Sequence, residues 1–150
     1  MKKLLVSFSL MLTAGLTSAF TQEINNDPRV ETLFAREFAG AENVKWARLA
    51  EGGYQKASFT LAGTGVEAYF SVDAELLGTV RNIFYSQVPL VVMQAINKQF
   101  ENAVVLEVTE VTNSGGTSYK IMLEEKTKKY NLRLSSFGEI TELRKIKTKK

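Results

Sequence analysis

The segment YQKASFTLAGTGVEAYFSV, Tyr54 to Val72, decides the fold. Ala57, Phe59 and Leu61 alternate with Lys56, Ser58 and Thr60. Past a glycine-marked break, Val66, Ala68, Phe70 and Val72 alternate with Glu67, Tyr69 and Ser71. Successive side chains of a strand point to opposite sides, so this period of two gives each run one apolar and one polar face. Gly63-Thr64-Gly65 lies between the runs, where glycine supplies positive φ without steric cost, and predicts a hairpin turn. The segment therefore reads as two antiparallel strands with one face buried and the other wet.

The same alternation extends on both sides. Asn43–Ala50 precedes the hairpin across Gly52-Gly53, and Leu76–Ile83 follows it. Ahead of these four runs, Asp27-Pro28 predicts a helix start. The Asp27 carboxylate caps the first free N–H groups, and proline fits the first helical position, where its missing donor costs nothing. Val30, Leu33, Phe34 and Phe38 then recur at helical spacing, and Gly40 marks the stop.

The order recurs in the second half. Ser86 to Pro89 opens a helix with Val92, Met93, Ile96 and Phe100 on one side. Runs follow at Val104–Thr112, Thr117–Glu125, Lys129–Ser135 and Ile140–Ile146, with Ser114-Gly115-Gly116 in the first hairpin. Superposing the halves places Phe38 over Phe100, Val44 over Leu106, Trp46 over Val108, Phe59 over Leu123 and Phe70 over Leu134. An internal duplication is the most economical reading.

Helices set apart from hairpin-linked strands predict an α+β fold, a tandem repeat of a helix plus four antiparallel strands. The helices pack on one face of an antiparallel sheet of about eight strands. The expected inner set is Val44, Trp46, Ala57, Phe59, Leu61, Val66, Ala68, Phe70 and Val72, continued by Leu106, Val108, Tyr119, Ile121, Leu123, Tyr130, Leu132 and Leu134.

The ends of the chain point to export. Lys2 and Lys3, the apolar run Leu4–Leu16 and Thr17-Ser18-Ala19 have the pattern of a cleaved secretory signal over residues 1–19. The run is short for a membrane span, so no span is expected in the mature chain. Residues 20–26 read as a linker, and 27–150 as one domain of two repeats, 27–84 and 86–147. The expected location is the periplasm or the medium. The 19 basic and 16 acidic residues give +3; removing Lys2 and Lys3 leaves +1. Setting aside Arg144, Lys145, Lys147, Lys149 and Lys150 as a basic tail leaves −4 for the body, which is not the footprint of a nucleic-acid binder.

There is no Cys and no His. Disulfides, thiol nucleophiles, serine–histidine triads and imidazole-bound zinc are thereby closed. Gly63-Thr64-Gly65 lacks the third glycine and the Lys-Ser/Thr pair that grip phosphate, and a strand follows it where a helix start is needed. The only two aspartates, Asp27 and Asp73, form no calcium ladder. Glu124 and Glu125 fall on opposite faces of a strand, and no Ser-x-x-Lys occurs. No catalytic, cofactor-binding or metal-ligating residue is assigned, and no enzyme activity is expected.

The helix ending in Phe38, the segment Glu42-Asn43-Val44-Lys45-Trp46 and the Tyr54…Ala57-Ser58-Phe59 hairpin resemble a bacterial family, as do Ala68–Glu75 and the Pro89-led helix. The family is the PepSY-like proteins with a fold like beta-lactamase inhibitory protein, small exported proteins of Bacteroidetes. The resemblance runs from Pro28 to Ile146. The family's Asp-Gly turn stands here as Asp73-Ala74 and as Phe137-Gly138, and alanine at a position that favours positive φ carries a cost. The resemblance implies a tandem α+β domain whose uncovered sheet face binds another protein. It implies no catalytic residue, and inhibition of beta-lactamase does not follow from the fold.

The candidate site is that uncovered face. On the polar parity lie Lys45, Lys56, Glu67, Tyr69, Lys120, Met122, Asn131 and Arg133, with Tyr54 at a strand end. Tyr, Arg and Met are enriched at protein interfaces because they offer area with a polar handle. The expected partner is an envelope or secreted protein or a peptide. A second reading, a carrier of a small apolar ligand between helices and sheet, draws on the nine phenylalanines.

Overall fold

The computed structural model describes residues 26–49 and 53–146. The expected leader, the linker up to residue 25, Gly52 and the last four residues lie outside the described residues. Helix α1 (Pro28–Glu37) precedes strands β1 (Glu42–Arg48), β2 (Gln55–Leu61), β3 (Thr64–Phe70) and β4 (Leu76–Asn82). Helix α2 (Leu90–Gln99) precedes β5 (Val104–Asn113), β6 (Gly116–Glu125), β7 (Lys128–Ser135) and β8 (Ile140–Ile146). All eight strands form one antiparallel sheet in sequence order.

Asp27 caps α1 as its chemistry dictates: Oδ1 accepts the Arg29 N–H at 2.9 Å, with Pro28 in the first turn. The entry to α2 differs from the expected opening at Ser86. Tyr85–Gln87 forms a single 3-10 turn in which Gln87 Oε1 accepts the Phe84 N–H at 2.9 Å. The α-helix starts only after Pro89, which has no N–H to give to the turn before it.

Both helices lie on the same face of the sheet. The registers Ala57↔Ala68↔Thr79↔Thr112↔Thr117 carry that face across every strand from β2 to β6. Beneath it the core is two clusters, not one. Val30 and Phe34 of α1 pack on Ala57, Phe59, Val66, Ala68 and Phe70. Val92 and Ile96 of α2, with Phe100, pack on Val108, Tyr119, Ile121, Leu123, Leu132 and Leu134. Between the clusters the face turns polar. Arg81 Nε sits 2.7 Å from Glu110 Oε1 across the β4–β5 joint, and the Thr112 and Thr117 hydroxyls are 3.1 Å apart.

Three residues of the expected inner set are exposed: Val44 by 37%, Val72 by 56% and Leu106 by 46%. Two of these corrections share a cause. The register breaks between Glu42 and Lys45 and again between Val105 and Glu107, and each bulge inserts a residue that reverses the parity beyond it. Val105, not Leu106, packs against the second cluster. Val72 is turned out because β3 ends at Phe70 and the next residues form the turn into β4.

The first glycine turn is displaced as well. Leu61 pairs with Thr64, so the loop is Ala62-Gly63, both with positive φ, and Thr64 and Gly65 belong to β3. The third turn of each half is built alike. Ser71 Oγ accepts the Asp73 and Glu75 N–H groups at 3.2 and 3.1 Å. Ser135 Oγ accepts those of Phe137 and Glu139 at 3.3 and 3.2 Å. Ala74 takes φ +61 where Gly138 takes +83, so the costly alanine backbone expected from the sequence is present.

Candidate partner-binding face

Antiparallel register decides which predicted side chains meet. On the side away from the helices Lys45 faces Ser58, Lys56 faces Tyr69, and Ser58 faces Glu67. In the second half Lys120 faces Arg133, Met122 faces Asn131, Arg133 faces Glu142, and Asn131 faces Arg144. The strand-parity assignment thus places Lys45, Lys56, Glu67, Tyr69, Lys120, Met122, Asn131 and Arg133 on one open face. Tyr54 lies just before β2, its ring 41% exposed and its carbonyl accepting the Leu49 N–H at 2.8 Å.

The two halves of this face differ electrostatically. In the first half the charges satisfy one another. Lys56 Nζ lies 2.8 Å from Glu67 Oε1, and the Tyr69 hydroxyl donates to Glu67 Oε2 at 2.7 Å. The Lys56 ammonium and then the Tyr69 hydroxyl hold the Glu67 carboxyl below the ordinary carboxylate value. Burial, reinforced by the bond to Glu67, pushes the Tyr69 phenol up to about 12.

A phenol that holds its proton more tightly folded than unfolded contributes stability in full below its ordinary value of 10.0. That contribution is lost as pH rises through about 12. An ultraviolet titration of Tyr69→Phe against the parent is therefore expected to lack one phenol ionising at about 12. Loss of a phenol ionising near 10.0 instead would show that Tyr69 is neither buried nor bonded to Glu67 in solution as described.

In the second half the face sinks into a concavity of about 390 Å³. Lys120, Met122, Asn131 and Arg133 line it together with Glu107, Thr109, Glu142 and Arg144. Glu142 is shared: its Oε1 lies 2.5 Å from Arg144 Nε and its Oε2 lies 3.8 Å from Arg133 Nε. Met122 lines the concavity half-buried, while Lys120 and Arg133 are exposed.

Sequence reasoning missed Glu107, Thr109, Glu142 and Arg144. Charge alone groups Arg144 with a basic tail, yet it sits in β8 opposite Asn131. Glu142 shares strand parity with Ile140, which pairs with the inner-face Leu134; the register shift beside Leu134 places Glu142 on the open side. Only the pairing with β7 reveals this.

No protein-family model matches the chain, and no curated protein is similar enough to it to count as a relative. Solved structures do resemble it. A BLIP-like protein from Bacteroides fragilis superposes with a TM-score of 0.72 at 21% identity, covering 87% of this chain and 93% of that one. A DUF2874 family protein from Bacteroides uniformis gives 0.71 at 20% identity, covering 80% and 89%. A protein from Bacteroides eggerthii, provisionally called periplasmic, gives 0.69 at 22% identity, covering 80% and 88%. These likenesses carry the expected BLIP-like fold but not the PepSY-like name. This two-helix, eight-strand chain is thus similar, over most of its length, to Bacteroides proteins that include a BLIP-like protein and DUF2874 family proteins.

Proposed function

We propose that the protein is an exported, non-enzymatic binding module that seats a protein or peptide on the open face of its sheet. One observation carries this reading: the face opposite both helices holds a concavity that Met122 lines together with Lys120, Arg133 and Arg144. A half-buried methionine among charged side chains offers apolar area next to polar groups, the usual anatomy of a protein contact. The neighbouring protein provisionally called periplasmic supports the location, and among the described residues no helix is long and apolar enough to cross a membrane. The lack of Cys and His supports the non-enzymatic reading, as does the commitment of Glu67 and Glu142 to cationic neighbours. The matching Ser71 and Ser135 turns and the bulges beside Val44 and Leu106 support a duplicated unit of the PepSY-like kind.

The carrier alternative gains no such support. Phe34, Phe38, Phe59, Phe70 and Trp46 meet one another tilted or edge to face, with ring centroids 4.9 to 6.4 Å apart. The aromatic excess beneath α1 is thus filled by protein.

The test is photo-crosslinking in cells that make the protein. A photoreactive residue in place of Asn131, on the open face opposite Met122, is expected to give a discrete protein adduct that Met122→Ala combined with Tyr69→Ala removes. The same residue in place of Gln94, exposed on α2, is expected to give none. Adducts from the α2 position alone would place the contact on the helix side and defeat the proposal.

A further inference from the structure

Resting on that docking reading, we infer that the partner presents an acidic peptide segment, and that its carboxylates lie over Lys120 and Arg133 in the β6–β8 half of the face. The inference comes from a like-charge contact. Lys120 and Arg133 are direct cross-strand partners, and directly opposed like charges destabilise a sheet. Such pairs are ordinarily relieved by an anion nearby. Arg133 has only the distant edge of Glu142 at 3.8 Å, and Glu142 is already held by Arg144 at 2.5 Å. Lys120 has no ion-pair partner among the described residues; its other cross-strand neighbour is Thr109.

The charged groups around the concavity are Lys120, Arg133 and Arg144 against Glu107 and Glu142, so cationic charge is in excess. In the first half of the same face Lys56 is neutralised by Glu67, and Lys45 faces Ser58 and not a second cation, so no like-charge pair stands there. An acidic segment is therefore drawn to one half of the sheet. Its carboxylates replace the missing counter-charge between β6 and β7, and an apolar side chain beside them rests on Met122. Charge complementarity of this kind governs which partners are admitted.

Two measurements on the whole protein test this. In the first, a random dodecapeptide library displayed on phage is selected against the parent and against Lys120→Glu. Peptides selected by the parent are expected to carry about twofold more Asp and Glu than the unselected library, and to bind Lys120→Glu about tenfold more weakly. Lys98→Gln, in the last turn of α2 on the opposite side of the sheet, is expected to leave their binding unchanged. Selected peptides without acidic bias that still lose binding on Met122→Arg would overturn the acidic partner while leaving the docking face standing. Peptides indifferent to both Lys120→Glu and Met122→Arg would overturn the inference and the docking reading together. Phosphatidylglycerol vesicles binding through Lys120 as tightly as the peptides would also overturn it, since the anion would then be a lipid.

In the second measurement, Lys120→Glu exchanges a like pair for an opposite pair and is expected to raise the melting temperature of the free protein by about 1–3 °C at low salt. A lower melting temperature would show that the Lys120–Arg133 contact carries no unmet charge.

Discussion

Phe34→Ala is expected to cost about 4 kcal/mol of stability, a fall of roughly 15 °C in melting temperature. Phe34 projects from the middle of α1 into the centre of an aromatic cluster. Its ring centroid lies 5.0 Å from Phe59, 5.2 Å from Trp46, 5.3 Å from Phe38 and 6.4 Å from Phe70, mostly edge to face. Truncation removes the transfer free energy of a phenyl group and leaves a cavity whose walls are rigid rings, poorly able to collapse. It also removes the edge-to-face contacts, each worth about 0.5–1.5 kcal/mol beyond area burial.

Phe84→Ala is the matched control, because that ring is 80% exposed and its loss is expected to change stability by less than about 0.5 kcal/mol. Urea denaturation of both variants checks the contrast. Since the two core clusters share no residue, amide exchange in Phe34→Ala is expected to speed up in β1–β3 well before β6 and β7. Similar losses from Phe34→Ala and Phe84→Ala would mean that α1 does not dock on β1–β3 as described.

How far the amino-acid pattern reaches is visible in particular residues. Alternation alone places Ala57, Phe59, Ala68, Phe70, Ile121, Leu123, Leu132 and Leu134 inside, because the sheet buries one whole side and each strand keeps a strict period of two there. The pattern fails where pairing between strands, not order within one, sets direction. Leu106 looks like a core residue and Val105 like a surface one until the bulge against β6 exchanges them. The division of the core also escapes a single-strand reading. Thr79, Arg81, Glu110 and Thr112 are polar residues on a face where apolar ones are expected, and only their register across β4 and β5 reveals a polar strip between the two helices.

The site follows the same logic. Lys120, Met122 and Arg133 are legible because β6 and β7 alternate cleanly, whereas Glu142 and Arg144 need the shifted register of β8 before they join that face. Lys56, Glu67 and Tyr69 are legible as neighbours, but their mutual neutralisation depends on side-chain reach across two strands.

Gly78→Val is expected to destabilise the protein by about 3 kcal/mol, lowering the melting temperature by roughly 10 °C, although valine is ordinarily a favourable strand residue. Gly78 opens the β4–β5 joint, where it pairs with Asn113, and this ladder carries the sheet from one half into the other. A Cβ at Gly78 would stand 2.5 Å from the Thr112 carbonyl oxygen and 3.1 Å from Asn113 Cβ. A backbone oxygen within a ladder cannot swing aside as a flexible side chain can, so the strands must part or shift register locally. The two core clusters lie on either side of this joint and share no residue that would hold it closed. Gly65→Val on the same open face provides the comparison: a Cβ there meets nothing within 4 Å, and β-propensity alone makes the change neutral or stabilising by up to about 1 kcal/mol. Calorimetry on the pair separates the two physical accounts. If strand propensity governs, both variants melt at or above the parent temperature. If close approach of the β5 backbone governs, Gly65→Val holds while Gly78→Val falls, and amide exchange rises first at Val80, Val111 and Asn82 along the joint.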